Sequence, residues 1–268
     1  MKKAVSRVYM TLIFVFLYAP ILLLVVFSFN DTDTKSRTVW SGFSLRWYEM
    51  LFQDRMLLEA LRNTLIIAVC AAVGATILGT VAALGIHSMK SWRKKLVMNI
   101  TNLPMLNPEI VTGVSLMLLM VFVANLFGVT LGIVSIILAH ITFCLPYVIL
   151  SVLPKLGQMD PHLFEAAQDL GCTPVRSFFK VVLPEIMSGV ITGMVMAFTL
   201  SLDDYFVATY TKPATFDTIS TYVVNATKGS QTQIKTALWA LSTIIFIIVI
   251  AVELFINIVP SRKEKKEG

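Results

Sequence analysis

Long apolar runs alternate with short polar ones along this chain, and six of the runs are long enough to cross a bilayer. The first covers residues 8–29, with Pro20 as its kink point. It follows Lys2, Lys3 and Arg7, is longer than a signal h-region and has no small-x-small cleavage site after it, so it reads as an uncleaved helix. Residues 30–61 are polar and mixed in charge, with Trp40, Trp47 and Tyr48 among them, and predict an aqueous loop with interfacial aromatics. The second span covers residues 62–87 and is studded with small residues, among them Ala71, Ala72, Gly74, Ala75, Gly79 and Ala83. Small residues let helices approach closely where lipid offers no hydrophobic drive for association, so this helix is expected inside the bundle. Residues 96–127 are too long a run for a single span, and Pro104 and Pro108 interrupt it. That predicts an interfacial or broken piece and then a span from Met105, with Gly128 turning the chain after it. Residues 131–153 (containing His140 and Pro146), 186–210 and 236–259 complete the six.

Between the fourth and fifth spans lies a polar segment, residues 160–184, that carries its own helix punctuation. Asp160 and Pro161 read as an N-cap followed by proline at the first helical position. Gly171 suits a C-terminal cap. Thr173 and Pro174 repeat the start for a second short helix, which Pro184 is expected to stop. Composition agrees with a polytopic all-α membrane protein: 56% of the residues are apolar and 14% charged, against the roughly 25% charged of soluble domains. The net charge of +6 sits in short basic tracts beside apolar runs, which fits anionic lipid and chain orientation rather than nucleic acid. With both termini inside, the inner segments hold 14 Lys and Arg and the outer ones 8. The positive-inside rule therefore places both termini and the 160–184 segment in the cytoplasm. Cys70, Cys144 and Cys172 lack metal or disulfide spacing and read as packing residues. The expected division is a first helix with its external loop (1–57), a body holding the other five spans and the 160–184 helices (58–259), and a basic tail (260–268).

Asp203 and Asp204 are the sharpest chemical feature inside a span, towards its outer side. Charge there is costly and usually faces a water-filled path or a partner, and two carboxylates suit a di- or polycation. Adjacent helical residues point about 100° apart, so at most one of the two lines a path; the outer interface or a basic partner group would hold the other. Glu109, after Pro108, is favoured by the dipole at a helix start or forms a cation site at a broken helix. His140 reads as a hydrogen-bonded packing residue, with a proton relay as the alternative. Phe143 and Tyr147 read as packing, and Glu253 pairs or reaches water near the end of the last span. No G-x-x-x-x-G-K-[ST] sequence is present, so this chain has no P-loop of its own for ATP, and no cofactor is expected.

Glu165, Ala166 and Ala167, then Gly171, then Val181, Leu183 and Pro184 resemble the EAA motif of binding-protein-dependent ABC importer permeases, with Val181 in place of the usual Ile. Ser28-Phe29-Asn30, the run from His140 to Val148, FTLSLDD from Phe198 to Asp204, and Trp40, Gly42, Trp47 and Tyr48 are similar to the spermidine/putrescine branch of that family. One departure is Thr236-Ala237-Leu238-Trp239-Ala240, before the sixth span. The resemblance implies a six-helix, MetI-like type I importer permease in a bacterial cell membrane, with no catalytic residues of its own. It further implies an ATPase dimer docked on the EAA residues, a second homologous permease, and an extracytoplasmic polyamine-binding protein. By the residues' own chemistry, Glu109 and one of Asp203 and Asp204 are the substrate-path candidates, and Leu163, Phe164, Phe178 and Phe179 offer apolar anchors of the helix-in-groove kind. Four other readings stay open: the same fold carrying ferric iron or a phosphonate, an ion-coupled secondary transporter using Asp203 or Asp204, a non-transporting membrane scaffold, and a 160–184 helix that merely lies on the membrane.

Overall fold

A computed structural model describes residues 2–31, 39–128, 132–160, 162–228, 237–248 and 250. Those residues are helical apart from their connections and an isolated bridge between Asn30 and Phe43. The elements are α1 (Lys2–Phe27), α2 (Arg46–Gln53), α3 (Arg55–His87), α4 (Ser91–Leu106), α5 (Glu109–Phe127), α6 (Ile133–Gln158), α7 (His162–Asp169) and α8 (Pro174–Ser177). A π turn (Phe178–Val182) then leads into α9 (Leu183–Asp203), α10 (Phe206–Thr211) and α11 (Ile219–Lys228), and α12 covers Ala237–Ile248. Five stretches are long and apolar enough to cross a membrane: Ser6–Phe27, Arg55–His87, Glu109–Phe127, Ile133–Gln158 and Pro174–Asp203. The shorter α12 begins the sixth expected span, whose remainder, like Pro161, Glu253 and the basic tail, lies outside the described residues.

Several boundaries differ from the sequence reading, each for a local reason. The loop expected over 30–61 contains α2 and the start of α3, seven residues before the expected span at Arg62. Asp54 opens α3 by accepting the N–H groups of Met56 and Leu57 on Oδ1. Pro104 does not interrupt α4, because it stands in the last turn, where it removes a single ladder bond. The break falls instead at Asn107–Pro108, so the span begins at Glu109 rather than Met105. Gly128 turns the chain as expected, in the left-handed conformation at φ 66°.

Two compact units are formed. Residues 1–58 and 223–268 make one, and Glu59–Tyr222 the other. In the first, the sequence predicted interfacial aromatics, yet Trp47 is buried. Its Nε1–H donates to the Asn30 carbonyl at 2.8 Å, and that bond permits an indole to leave water. Asn30, also buried, donates from its amide to Val39 O and accepts from Ser41 N–H at 2.7 Å. Ser28 Oγ and the Tyr48 hydroxyl are hydrogen-bonded at 2.8 Å. Trp47 packs on Ala237 and Ala240, and Trp239 meets Phe27 edge-on. The 236–240 departure is thus met in part by packing within this unit.

The second unit is built on α3, α6 and α9, and its closeness depends on missing side chains. A Cβ placed on Gly79 would lie 2.7 Å from Val148 Cγ1, and one on Gly193 would lie 3.2 Å from the same methyl group. Val148, fully buried on α6, is therefore gripped between a glycine of α3 and a glycine of α9. Ala72, Ala75, Ala83 and Ala197 continue the same seam, as the small residues of the second span predicted. Cys144 sits within it, its thiol 3.4 Å from the Ala197 carbonyl, whereas Cys70 is exposed.

Gly79→Val should lower the stability of the detergent-purified protein by about 1–3 kcal/mol through overpacking against Val148. Gly85→Ala, where an added Cβ meets nothing within 4 Å, should be neutral or stabilising, and thermal unfolding of the two variants checks the contrast.

Candidate transport path and coupling surface

The 160–184 segment assembles from its caps. Asp160 Oδ1 accepts the His162 N–H at 2.9 Å and opens α7, which carries Glu165, Ala166 and Ala167. At the other end, the Gly171 N–H donates to Gln168 O at 2.8 Å and the Cys172 N–H to Ala167 O at 3.1 Å. This pair of bonds is a Schellman motif, and Gly171 takes the left-handed conformation it requires, φ 86°. The spacing from Ala167 to Gly171 thus has a backbone cause. The Thr173 hydroxyl then accepts the Arg176 N–H and starts α8 at Pro174.

Pro184 does not stop the second helix, contrary to the sequence expectation. The backbone widens into the π turn, in which the Leu183 N–H reaches back to Phe178 O, and Pro184 falls in the first turn of α9. A proline there has no N–H to satisfy and its ring needs room behind it, which the wider turn supplies. Helix therefore runs without a stop from Pro174 to Asp203.

On this segment Glu165 is exposed and stands 3.7 Å from His162. Ala166 is exposed, Ala167 is buried, Val181 and Leu183 are half-buried and Pro184 is exposed. Of the four expected anchors, Leu163 and Phe179 are exposed, while Phe164 and Phe178 pack on the protein's own core. Leu170, 87% exposed, and Val175, 66% exposed, join the outward apolar set, which the sequence reading missed.

The second candidate site forms at the other end of α9. That helix stops at Asp203, where residues 186–210 were expected to be one span, and Asp204 is extended, with ψ 131°. The Asp204 carboxylate supplies the reason: Oδ1 accepts the Val207 N–H at 3.2 Å and Oδ2 the Ala208 N–H at 2.7 Å, so it caps α10. His140 Nε2 faces Oδ2 at 3.7 Å, and His140 Nδ1 is hydrogen-bonded to Ser201 Oγ at 2.8 Å. His140, Ser201 and Asp204 are all buried, whereas Asp203 is exposed. His140 stands seven residues into α6, about 10 Å from its N-terminal end at the helical rise.

The short helix α10 lies on α5 at Gly113, where an added Cβ would be 3.0 Å from the Tyr210 ring and 3.1 Å from Phe206 O. Glu109 is one turn before Gly113 on the same stripe of α5, at the helix start expected for it. The three carboxylates singled out in the sequence thus stand at two helix breaks, 107–108 and 204–205, which flank the contact of α5 with α10 at Gly113. Phe143 is buried, as expected for packing, and lies 6.0 Å from the half-buried Tyr147 ring.

Residues 75–265 match the family model described as binding-protein-dependent transport system inner membrane component. The chain belongs to this family. Among its relatives, it is 44% identical over 201 residues to the putrescine transport system permease protein PotI of Escherichia coli strain K12, covering 74% of this chain and 70% of that one. It is 34% identical over 243 residues to the spermidine/putrescine transport system permease protein PotC of Haemophilus influenzae, covering 91% of each. The Escherichia coli K12 PotC is 33% identical over 247 residues, 92% of this chain and 91% of that one. In fold, a crystal structure of a bacterial ABC transporter involved in the import of the acidic polysaccharide alginate contains a chain that superposes with a TM-score of 0.71. The two chains are 21% identical and the match covers 97% of this one and 95% of the other. The architecture is thus that of an ABC importer permease, and the protein is a multi-pass membrane permease of a binding-protein-dependent system.

Both candidate sites of this permease lie inside the region matched to the family model. The partner the sequence reading did not foresee is Ser201, one turn before the Asp203–Asp204 pair and so on the same helical face as Asp204. Gly171→Ala should cost the α7 cap about 1–2 kcal/mol, the penalty for a side chain in the left-handed region. Deuterium exchange of the amides at 162–172 should quicken accordingly, with Gly171→Asn intermediate.

Proposed function

We propose that this permease is the pathway subunit of an ATP-driven polyamine importer in a bacterial cell membrane, with both termini in the cytoplasm. The observation that carries the reading is that Glu109 and Asp203 stand exposed at two helix breaks within the span region, in a chain whose relatives include permeases named for putrescine and spermidine. A protonated amine that leaves water needs charge-assisted acceptors, and carboxylates held at broken helices supply them. The spaced charges of a polyamine match separate acids better than one compact site. Asp203 and Glu109, both exposed, are the groups that would meet the cargo.

The energy comes from outside the chain, which has no P-loop sequence. An ATPase dimer would dock on the 160–184 helices. Ala166 allows close approach, Glu165 sets a charge at the edge, and Leu163, Leu170, Val175 and Phe179 offer apolar anchors. A second homologous permease would complete the pathway, and an extracytoplasmic binding protein would deliver the polyamine. The helical stretch Pro174–Asp203, 30 residues, is about 45 Å long at the helical rise. It links the docking segment directly to Asp203, so closure of the ATPases would tilt the acidic locus as part of a rigid-body switch.

Uptake of radiolabelled spermidine and putrescine, in cells with and without this gene and with the ATPase intact, tests the reading. Gene-dependent, ATP-dependent uptake is the expected result; uptake driven by an ion gradient in ATPase-free vesicles would establish a secondary transporter instead. Glu165→Lys should abolish uptake at normal membrane abundance. Asp203→Asn should reduce it about tenfold or more, the 1.5–3 kcal/mol scale of a hydrogen bond to a charged group.

A further inference from the structure

Asp203 and Asp204 are neighbours in sequence but differ in surroundings. Asp203 is exposed and its carbonyl accepts from Ser220 Oγ at 3.4 Å. Asp204 is buried, and both of its oxygens are committed to backbone N–H groups of α10. His140 Nε2 makes no hydrogen bond among the described residues and faces Asp204 Oδ2 at 3.7 Å, while Nδ1 is held by Ser201. These three side chains come from α6, the end of α9 and the junction of α9 with α10, so they tie three elements together at one point.

We propose that His140, Ser201 and Asp204 form a positioning bracket: they keep the fifth spanning helix broken after Asp203 and so present Asp203, rather than Asp204, to the cargo. The proposal rests on the polyamine reading for the cargo but not for the bracket. Two chain groups in the low-dielectric interior require an acceptor at the break, the N–H groups of Val207 and Ala208, and Asp204 is that acceptor. Without it, the lowest-energy course for the backbone is to run α9 into α10 as one helix, in which each N–H finds a carbonyl four residues back. That course would turn Asp203 and carry α10 off Gly113, the position on α5 one turn from Glu109. His140 Nε2 faces the carboxylate at 3.7 Å on its open side, and Ser201 hydrogen-bonds the ring's other nitrogen and so sets that orientation. Ser201, a residue with no charge and no exposure, has no other evident task in the span.

A cap and a cargo ligand respond differently to loss of charge. Asn and Ser cap nearly as well as Asp, whereas Ala does not. In the assembled transporter, Asp204→Asn and Asp204→Ser should therefore keep uptake within about threefold of the unaltered protein, in line with their small capping differences. Asp204→Ala and His140→Leu should fall well below that. Asp203→Asn should fall as well, with Asp203→Glu restoring transport, and only the Asp203 change should alter the ratio of spermidine to putrescine uptake. Membrane abundance is followed by immunoblot. Should Asp204→Ala fail to accumulate, Asp204→Asn decides alone: retained uptake with an unchanged ratio supports the bracket. A loss in Asp204→Asn as deep as in Asp203→Asn, at normal abundance, overturns it and makes Asp204 a cargo ligand. If the unaltered transporter carries neither polyamine, the polyamine reading fails. The same variants are then compared by ATP hydrolysis of the assembled transporter, where Asp204→Asn matching the unaltered rate supports the bracket and matching Asp204→Ala overturns it.

Discussion

Inside hydrocarbon an unpaired backbone N–H or C=O costs several kcal/mol, so a chain that spans a membrane is free to break a helix only where it supplies replacement partners on the spot. This constraint accounts for the placement of most features described above. At 204–205 the replacement is the Asp204 carboxylate, which accepts two N–H groups of α10. At 107–108 the chain uses Pro108, which has no N–H to satisfy, and Pro108 O then accepts from Val111. At the junction before α9, within the polar 160–184 segment rather than in hydrocarbon, a π turn keeps the ladder paired up to Pro184. Each interruption is solved by a different device, and Glu109, Asp203 and Asp204 stand at the two that flank the α5–α10 contact.

The π turn bears on transmission as well as on folding. Had Pro184 ended a helix, the docking segment and the fifth span would have been separate rods joined by a flexible corner, and force applied to α7 and α8 would have dissipated there. A continuous helical path from Pro174 to Asp203 removes that corner. The path is stiffened along its length by close packing: Gly189 against Ser151 O and Lys155, Gly193 against Val148, and Ala197 beside Cys144. A displacement at one end of α9 must then appear at the other, because packed cores shift between discrete arrangements rather than deforming continuously.

Sequence reasoning performed well where a single local rule decides the outcome. Spans follow from apolar length, the caps at Asp160, Thr173 and Gly171 from side-chain chemistry, and the buried seam of α3 from its small residues. It failed where two rules compete over one residue. Pro184 is a helix stop by propensity, but a wider turn upstream accommodates it. Trp47 is interfacial by amphipathic character, yet the Asn30 carbonyl satisfies its one polar atom and the ring is buried. Asp203 and Asp204 look alike as a charged pair, and only the direction of the chain after them separates an exposed carboxylate from a capping one. That direction depends on His140, some sixty positions earlier, and on Ser201. No periodicity in a single sequence carries such a pairing, although the four-residue step from Ala167 to Gly171 was visible as a spacing.

The arrangement also explains why an acidic pair rather than a single acid stands at the end of α9. A carboxylate buried to cap a helix break is withdrawn from a passing cation, even though each of its oxygens keeps a lone pair beyond the one the backbone N–H takes. A lone Asp at 204 would keep the break and leave Glu109 as the exposed acid facing the cargo; a lone Asp at 203 would carry charge on a helix with no reason to end there. With both present, the buried one holds the backbone and the exposed one keeps its oxygens for solvent or cargo. The roughly 100° between successive side chains on a helix makes adjacent positions the shortest way to divide the two tasks. On this argument the order of the two residues is fixed by chain direction: the cap must lie nearer to α10, and so the carboxylate that faces outward must come first.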